Sequence, residues 1–151
     1  MKTQTKLTEH FTLEEMSASG TAIRMGVKNW PNGEQAEALH QLCMNVLEPL
    51  RLRFGRIIIT SGYRCPAVNK AVGGVRNSQH MRGEAADIRI PTIGAGLQMF
   101  DFIRDNCDFD QMLFESRRNT FGGRTYWLHV SCKRDLKSNR AMAIPNYQVW
   151  R

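Results

Sequence analysis

Apolar residues recur at steps of three and four in the first third of the chain. This stripe follows Asn32-Gly33 and lies opposite a polar face, a pattern that predicts an amphipathic helix. Its apolar members are Leu39, Leu42, Cys43, Val46, Leu47 and Leu50. A shorter helix is predicted at Thr12-Leu13-Glu14-Glu15, because Thr-x-x-Glu is the sequence of a capping box, and we expect it to end before Gly20.

The rest of the chain is richer in β-branched and alternating segments, which favour strands. The predicted strands cover residues 57–60, 84–90, 109–115 and 125–132. One further helix is predicted over residues 94–106, and residues 65–83, which contain Pro66 and several glycines, are expected to form a loop. This order of elements predicts an α+β fold, with helices packed on a small, mainly antiparallel sheet.

The length and composition fit one globular domain. The chain has 151 residues, of which 42% are hydrophobic, and no repeat or linker-like tract divides it. We expect a single domain over residues 7–151, preceded by a short tail at residues 1–6. No apolar run approaches the roughly 20 residues of a membrane span, so membrane insertion is not expected. The N-terminal residues also lack the apolar stretch of a secretory signal, so we expect the protein to remain in the cytoplasm unless something releases it.

The chain is basic, with a formal charge of +7 and an isoelectric point near 9.6. Such a charge fits a negatively charged partner: nucleic acid, an anionic membrane face or an anionic bacterial envelope polymer. The basic residues are spread along the chain rather than gathered in one tract, so an ordinary solvated surface explains them equally well. The four cysteines form no Cys-x-x-Cys pair and are expected to be free thiols.

Two histidines and an aspartate stand at predicted junctions between loop and strand. His80 and Asp87 belong to one segment and His129 to another. Three nitrogen or oxygen ligands with one open position are what a catalytic zinc requires. On a straight strand His80 and Asp87 would lie more than about 20 Å apart, but a turn at Gly83 would fold His80 back. Spacing alone supports an alternative without a metal equally well. In it, His80 is a loop residue, Asp87 is a carboxylate at the end of a strand and His129 is a core histidine.

A longer pattern surrounds His80. Its members are Ser78, His80, Gly83, Ala85 and Asp87. This pattern resembles the signature of the zinc D-alanyl-D-alanine carboxypeptidase family, part of the lysostaphin, carboxypeptidase and hedgehog-type metallopeptidase group. Other similar motifs are Ser61-Gly62-Tyr63-Arg64, Asn69-x-x-Val72-Gly73-Gly74, Phe109-Asp110-Gln111 and Trp127-Leu128-His129-Val130-Ser131. The resemblance covers roughly residues 7–132 and is to the small single-domain enzymes common in bacteriophages and prophages.

The resemblance implies one bound Zn²⁺ ion, with its ligands supplied by His80, Asp87 and His129. It also implies that Ser78 supports the loop that presents His80, and that Arg64 is catalytic. A guanidinium keeps its charge and offers a rigid fork of donors, which suits a substrate carboxylate or an oxyanion. The substrate-binding residues that it implies are Arg64, Ser78, Gln111 and Trp127. Trp127 fits a buried aromatic on the sheet equally well.

The general base is where the chain departs from the family pattern. Many relatives carry Glu three residues before the second histidine, but that position here is Tyr126. If the last two predicted strands form a hairpin centred near residue 120, Glu115 pairs with Thr125 and shares a face with His129. Glu115 is therefore the predicted base. A one-residue slip would bring Asp110 to that face instead, and an arrangement with Tyr126 or water alone remains open.

The residues and the resemblance together predict a zinc-dependent peptidoglycan peptidase. It would hydrolyse an amide bond that involves a D-amino acid in the stem peptide or cross-bridge, as a carboxypeptidase or an endopeptidase. We expect a monomer that acts on the cell wall after release, with wall peptide rather than nucleic acid as its partner. The alternative is a non-catalytic, zinc-containing module on the same fold that binds cell wall or a virion component. The missing Glu-x-x-His favours this alternative, and an open fourth zinc position argues against it.

Overall fold

One five-stranded sheet runs through the computed structural model, which describes residues 4–149. Its strands are β1 (Ile58–Ser61), β2 (Ala85–Arg89), β3 (Gln111–Arg118), β4 (Arg124–Ser131) and β5 (Met142–Val149). Their order is β1-β2-β4-β3-β5, and neighbours are antiparallel except β3 and β5, which are parallel. Residues 1–3 of the predicted tail and residues 150–151 of the predicted domain lie outside the described residues.

The described residues also form α-helices. They are α1 (Leu13–Ser17), α2 (Gly20–Met25), α3 (Gly33–Leu42), α4 (Glu48–Phe54), α5 (Pro66–Ala71) and α6 (Ile93–Asn106). A π-helical turn at Cys43–Leu47 joins α3 to α4. Helices on a mainly antiparallel sheet confirm the predicted α+β class.

The apolar stripe of the first third of the chain is buried at every predicted position, from Leu39 to Leu50. The helix begins where the Asn32 side chain accepts a hydrogen bond from Gln35 N and the Gln35 side chain accepts one from Asn32 N. This reciprocal pair is a capping box, which satisfies backbone donors at the helix start. The stripe therefore forms the helical half of the core, as predicted.

The two faces of the central strands differ because successive side chains on a strand point to opposite sides. One face packs on the helices, and its members are Ala86, Ile88, Met112, Phe114, Leu128 and Val130. The opposite face carries Asp87 on β2, Leu113 and Glu115 on β3, and His129 on β4. The core thus holds one face of the sheet, and the polar candidate site residues lie together on the opposite face.

The β3–β4 hairpin has a different register from the predicted one. Glu115 pairs with Trp127 rather than with Thr125, and the five-residue loop at 119–123 is centred on Phe121. The Asn119 side chain accepts hydrogen bonds from the backbone N–H groups of Phe121 and Gly123, which sets the length of this loop. The centre of the hairpin is one residue later than predicted, and the partner of each β3 residue is therefore two residues later on β4. A shift of two residues keeps every side chain on its predicted face of the sheet.

One prediction for the connecting segments is wrong, and one strand was not predicted. Residues 65–83 are not an uninterrupted loop, since they contain α5 and a 3₁₀ turn at Gln79–Arg82. Pro66 begins α5, a position where its missing N–H costs nothing. No element is predicted beyond residue 132, where β5 adds a parallel edge strand beside β3.

The four cysteines are free thiols, as predicted. Burial raises the pKa of the Cys132 thiol to about 11 and that of Cys107 also to about 11, which keeps both protonated at neutral pH. Among the described residues, no helix has the length and apolarity that crossing a membrane requires.

Candidate metal centre

Three separate elements bring His80, Asp87 and His129 together. His80 lies in the 3₁₀ turn at Gln79–Arg82, while Asp87 on β2 is the direct cross-strand partner of His129 on β4. Between the turn and β2 stands Gly83, whose φ of +73° is in the left-handed region that favours glycine. A Cβ at Gly83 would also collide with the backbone carbonyl of Gln35 on α3. The predicted reversal at Gly83 is therefore present, and it returns His80 to the end of β2.

The ligand atoms of these three residues converge on one point. His80 Nε2 lies 3.4 Å from Asp87 Oδ1, and His129 Nδ1 lies 2.9 Å from the same oxygen. All three ligand atoms lie within 4.8 Å of one another. Two atoms bound to zinc at ~2.05 Å in tetrahedral geometry would lie about 3.3 Å apart. The donor set and its spacing thus fit a zinc ion, with no large rearrangement of the backbone.

A second layer of contacts orients the ligands. His80 Nδ1 donates a hydrogen bond to the Gly62 carbonyl at 2.7 Å, which leaves Nε2 as the nitrogen that faces Asp87. The Ser78 hydroxyl accepts a hydrogen bond from His80 N at 3.2 Å and so supports the turn. Metal-binding histidines usually donate their second N–H to a carbonyl or a carboxylate, and this fixes the tautomer. The arrangement around His80 is of this kind.

The pKa shifts of His80 and Asp87 favour the protonation states that a metal needs. Burial lowers the pKa of His80 more than Asp87 raises it, so its imidazole is neutral and retains a lone pair. Burial alone would raise the pKa of Asp87, but its interactions with the His80 and His129 rings outweigh burial. They hold the pKa of Asp87 well below its usual range. A neutral imidazole and an ionised carboxylate are the forms that bind zinc. Burial lowers the pKa of His129, but its hydrogen bond to Asp87 and the charges of Asp87 and Glu115 together outweigh burial and raise that pKa.

Arg64 lies behind the carboxylate. Its Nη2 donates to Asp87 Oδ2 at 3.1 Å, and its Nε donates to Ser61 Oγ at 2.9 Å. Its Nη1 lies 3.4 Å from Asn69 Oδ1. The guanidinium is buried, lines the cavity beside the ligands and holds the oxygen of Asp87 that the imidazoles leave open.

The candidates for the general base occupy different positions. Glu115 is buried on β3, lines the cavity, and its Oε1 lies 3.7 Å from His129 Nδ1. Asp110 is completely buried and accepts hydrogen bonds from the Arg140 side chain and from Gln79 Nε2. Tyr126 packs its ring on Phe114, on the core side of the sheet. Of these candidates, Glu115 is the carboxylate that stands beside the ligands.

A cavity of about 400 Å³ opens in front of the three ligands. Ser78 and Gln111, both predicted to contact substrate, line it. The described residues that line it do not include Trp127, whose ring lies beneath the Arg117 guanidinium at 5.9 Å. Further lining residues that sequence reasoning missed are Arg82, Lys133, Arg140 and Tyr147. Lys133, Arg140 and Tyr147 follow the last predicted element, and no motif in that segment indicates that it returns to the site.

Comparison with known proteins agrees with this geometry. A family model described as Peptidase M15 matches residues 9–131, which is most of the chain. The chain belongs to the peptidase M15 family. This confirms the family resemblance seen in the motifs. No curated protein matches the chain.

Peptidases of the M15 family are metallopeptidases and typically use zinc. The cluster of His80, Asp87 and His129 lies wholly within the matched residues and could hold such an ion. The match ends at residue 131, so part of the cavity wall lies beyond it. That wall, which includes Lys133 and Arg140, is a feature of this M15 chain that its family match does not describe.

Proposed function

We propose that this M15 peptidase is a zinc-dependent enzyme that hydrolyses an amide bond in peptidoglycan. The bond lies in the stem peptide or cross-bridge and involves a D-amino acid. The observation that carries the proposal is the set of three convergent ligand atoms beside a buried carboxylate, with Glu115 Oε1 3.7 Å from His129 Nδ1. A cavity of about 400 Å³ in front of them has room for a short stretch of peptide.

His80, Asp87 and His129 hold the metal in this proposal. When bound, zinc supplies Lewis acidity, which polarises a scissile carbonyl and makes water nucleophilic near neutral pH. Glu115 accepts a proton from the attacking water and passes it to the nitrogen of the scissile amide. The C–N bond then breaks, and the amine leaves as a neutral molecule. Its burial and its closeness to His129 support this role.

Arg64 has two roles in the proposal. Its hydrogen bond to Asp87 Oδ2 supports a positioning role, in which it keeps the carboxylate turned toward the imidazoles. Its place in the cavity lining supports the role that the family resemblance implies, the binding of a substrate carboxylate or oxyanion. Ser78 and Gln111 are proposed to contact substrate in the same cavity, and Trp127 is proposed to do so only at its margin.

The enzyme is favoured over a binding module by the position of Glu115. The module hypothesis drew its support from Tyr126, which stands where relatives have a catalytic glutamate. A carboxylate from the neighbouring strand lies beside the ligands, and it supplies the missing function. In this proposal the protein acts at the cell wall as a monomer, as the resemblance to phage and prophage enzymes leads us to expect.

The deciding experiment compares wild type with His80→Ala on defined muropeptides. We expect product masses that correspond to one hydrolysed amide bond, about one zinc per chain in the wild type, and loss of both zinc and turnover in the variant. His40→Ala is the matched control, since His40 is exposed on α3 and bonds only to the Leu7 carbonyl among the described contacts. Equal muropeptide turnover by wild type and His80→Ala would overturn the proposal.

A further inference from the structure

The cavity in front of the metal centre is lined by more positive than negative side chains. Among the described residues its cations are Arg64, Arg82, Lys133 and Arg140, and its carboxylates are Asp87 and Glu115. Arg64 forms an ion pair with Asp87, and Arg82 forms one with Glu84 at 3.0 Å. The other two cations of the lining are Lys133 and Arg140, which we call the cationic wall.

A buried carboxylate orients the cationic wall. Asp110 is 0% exposed, and its Oδ1 accepts hydrogen bonds from Arg140 N and Arg140 Nε, both at 3.0 Å. Its Oδ2 accepts one from Arg140 Nη2 at 2.9 Å, while Lys133 Nζ lies 3.6 Å from Oδ1. The side chains of Lys133 and Arg140 are nevertheless 31% and 48% exposed, so both retain a surface toward solvent. One buried negative charge thus holds two cations in place and leaves a net positive charge.

Asp110 connects the cationic wall to the 3₁₀ turn that carries His80. Gln79 Nε2 donates to Asp110 Oδ2 at 3.1 Å, and Gln79 precedes the ligand His80. β5 also contributes to the cavity through Tyr147, which is the cross-strand neighbour of Glu115. Lys133, Arg140 and Glu115 line the same cavity, so a substrate bound there lies near all three residues.

We propose that the cationic wall is a subsite for a free carboxylate of the substrate, separate from the reacting amide. The enzyme would then prefer acidic peptides to counterparts in which that carboxylate is a carboxamide. The proposal rests on the proposed peptidase function and deepens it by naming the class of substrate. An ammonium and a guanidinium bind a carboxylate through charge-assisted hydrogen bonds, which a neutral amide oxygen forms far less strongly.

The test uses synthetic stem pentapeptides in which each carboxylate is replaced, one at a time, by a carboxamide. We expect one replacement to lower kcat/KM of the wild type by about tenfold, mostly through KM, because the interaction acts on binding. Lys133→Met should lose this preference, and Lys133→Arg, which keeps the charge, should retain it. Lys133 is chosen rather than Arg140 because Arg140 also anchors Asp110.

Lys137→Met is the matched control, since Lys137 is exposed on a 3₁₀ turn and does not line the cavity. It should discriminate between acid and amide as the wild type does, and Lys133→Met should melt within a few degrees of it. If the wild type cleaves every peptide of the set equally well, the subsite is wrong and the peptidase function stands. If Lys133→Met retains full discrimination, the subsite is also wrong. If no peptide is cleaved, the proposed function fails and the substrate subsite fails with it.

Discussion

Asp87 is the residue on which the metal centre depends most. Its Oδ1 faces both imidazoles and its Oδ2 faces Arg64, so one carboxylate joins Arg64 to the two ligating histidines. A buried carboxylate in this position stays ionised because each of its oxygens has a donor. The site is therefore organised before any metal enters, and metal binding requires His129 Nδ1 to release the proton that it donates to Asp87 Oδ1.

The role of Glu115 can be distinguished from that of the ligands by a substitution that keeps the shape of its side chain. Glu115→Gln should lower kcat by at least about 100-fold, because an amide cannot accept a proton from water. Zinc content should stay near one per chain, since Glu115 lies outside the ligand set. Both are measured on one preparation, by muropeptide turnover and by elemental analysis.

The matched control for this variant is Glu37→Gln, at an exposed position on α3. It should be as active as the wild type. Full activity of Glu115→Gln would contradict the assignment and return the base to the other candidates, of which Asp110 is the first.

At the scale of elements, the turn between His80 and Asp87 was predictable because its signal is local, whereas the ligand set, which includes the distant His129, was implied by the family resemblance. The turn that reverses the chain at Gly83 is written within eight residues, from His80 to Asp87. The face of Glu115 was predictable for a different reason: strands repeat every two residues, so an error of two in the pairing returns each side chain to the same face. The pairing itself was not predictable, because the Asn119 hydrogen bonds that set the loop are a product of folding.

The last strand shows where sequence patterns fail. β5 contains Pro145 and exposes most of its side chains, so it lacks both alternation and a continuous apolar run. It is a strand because β3 offers an edge and because Asp110 holds Arg140 just before it. Both causes are tertiary contacts, which explains why Lys133 and Arg140 escaped prediction as part of the site.

Asp110 should therefore act on stability through β5. Burial raises the pKa of Asp110, but hydrogen bonds from Arg140 and the charge of Lys133 outweigh burial and lower it below the ordinary 3.8. Asp110→Asn should lower the free energy of unfolding at pH 7 by about 2 kcal/mol, the order of a lost buried charge-assisted contact. Because the folded-state pKa is depressed, this contribution is present above pH ~4 and disappears as the pH falls through the folded-state value.

Urea unfolding of wild type and Asp110→Asn at pH 7 and pH 3 measures this difference. The control is Asp101→Asn, since Asp101 forms an exposed pair with Arg104 on α6 and should change stability little at either pH. A difference between wild type and Asp110→Asn that is as large at pH 3 as at pH 7 would show that the Asp110 charge is not its source.

At the scale of the whole molecule, the charge of +7 acquires a local meaning. Part of it stands at the cavity as the cationic wall, and part lies on surfaces far from the site. The M15 match covers most of the residues that line the cavity, including the ligands, whereas the cationic wall follows residue 131. The candidate metal centre thus lies within the residues matched by the family and the cationic wall lies beyond them, and the two are linked through Gln79 and Asp110.

Zinc should stabilise the whole molecule, because its ligands come from a turn and two strands that are apart in the unfolded chain. With free zinc at 1,000 times its Kd, binding adds about 4 kcal/mol to the free energy of unfolding. For a chain of this size that raises Tm by roughly 10 °C. Scanning calorimetry with zinc and with a chelator measures the difference, and His80→Ala should lose it while His40→Ala keeps it. A wild-type Tm that the chelator leaves unchanged, or an equal zinc response in His80→Ala, would show that these residues do not hold the ion.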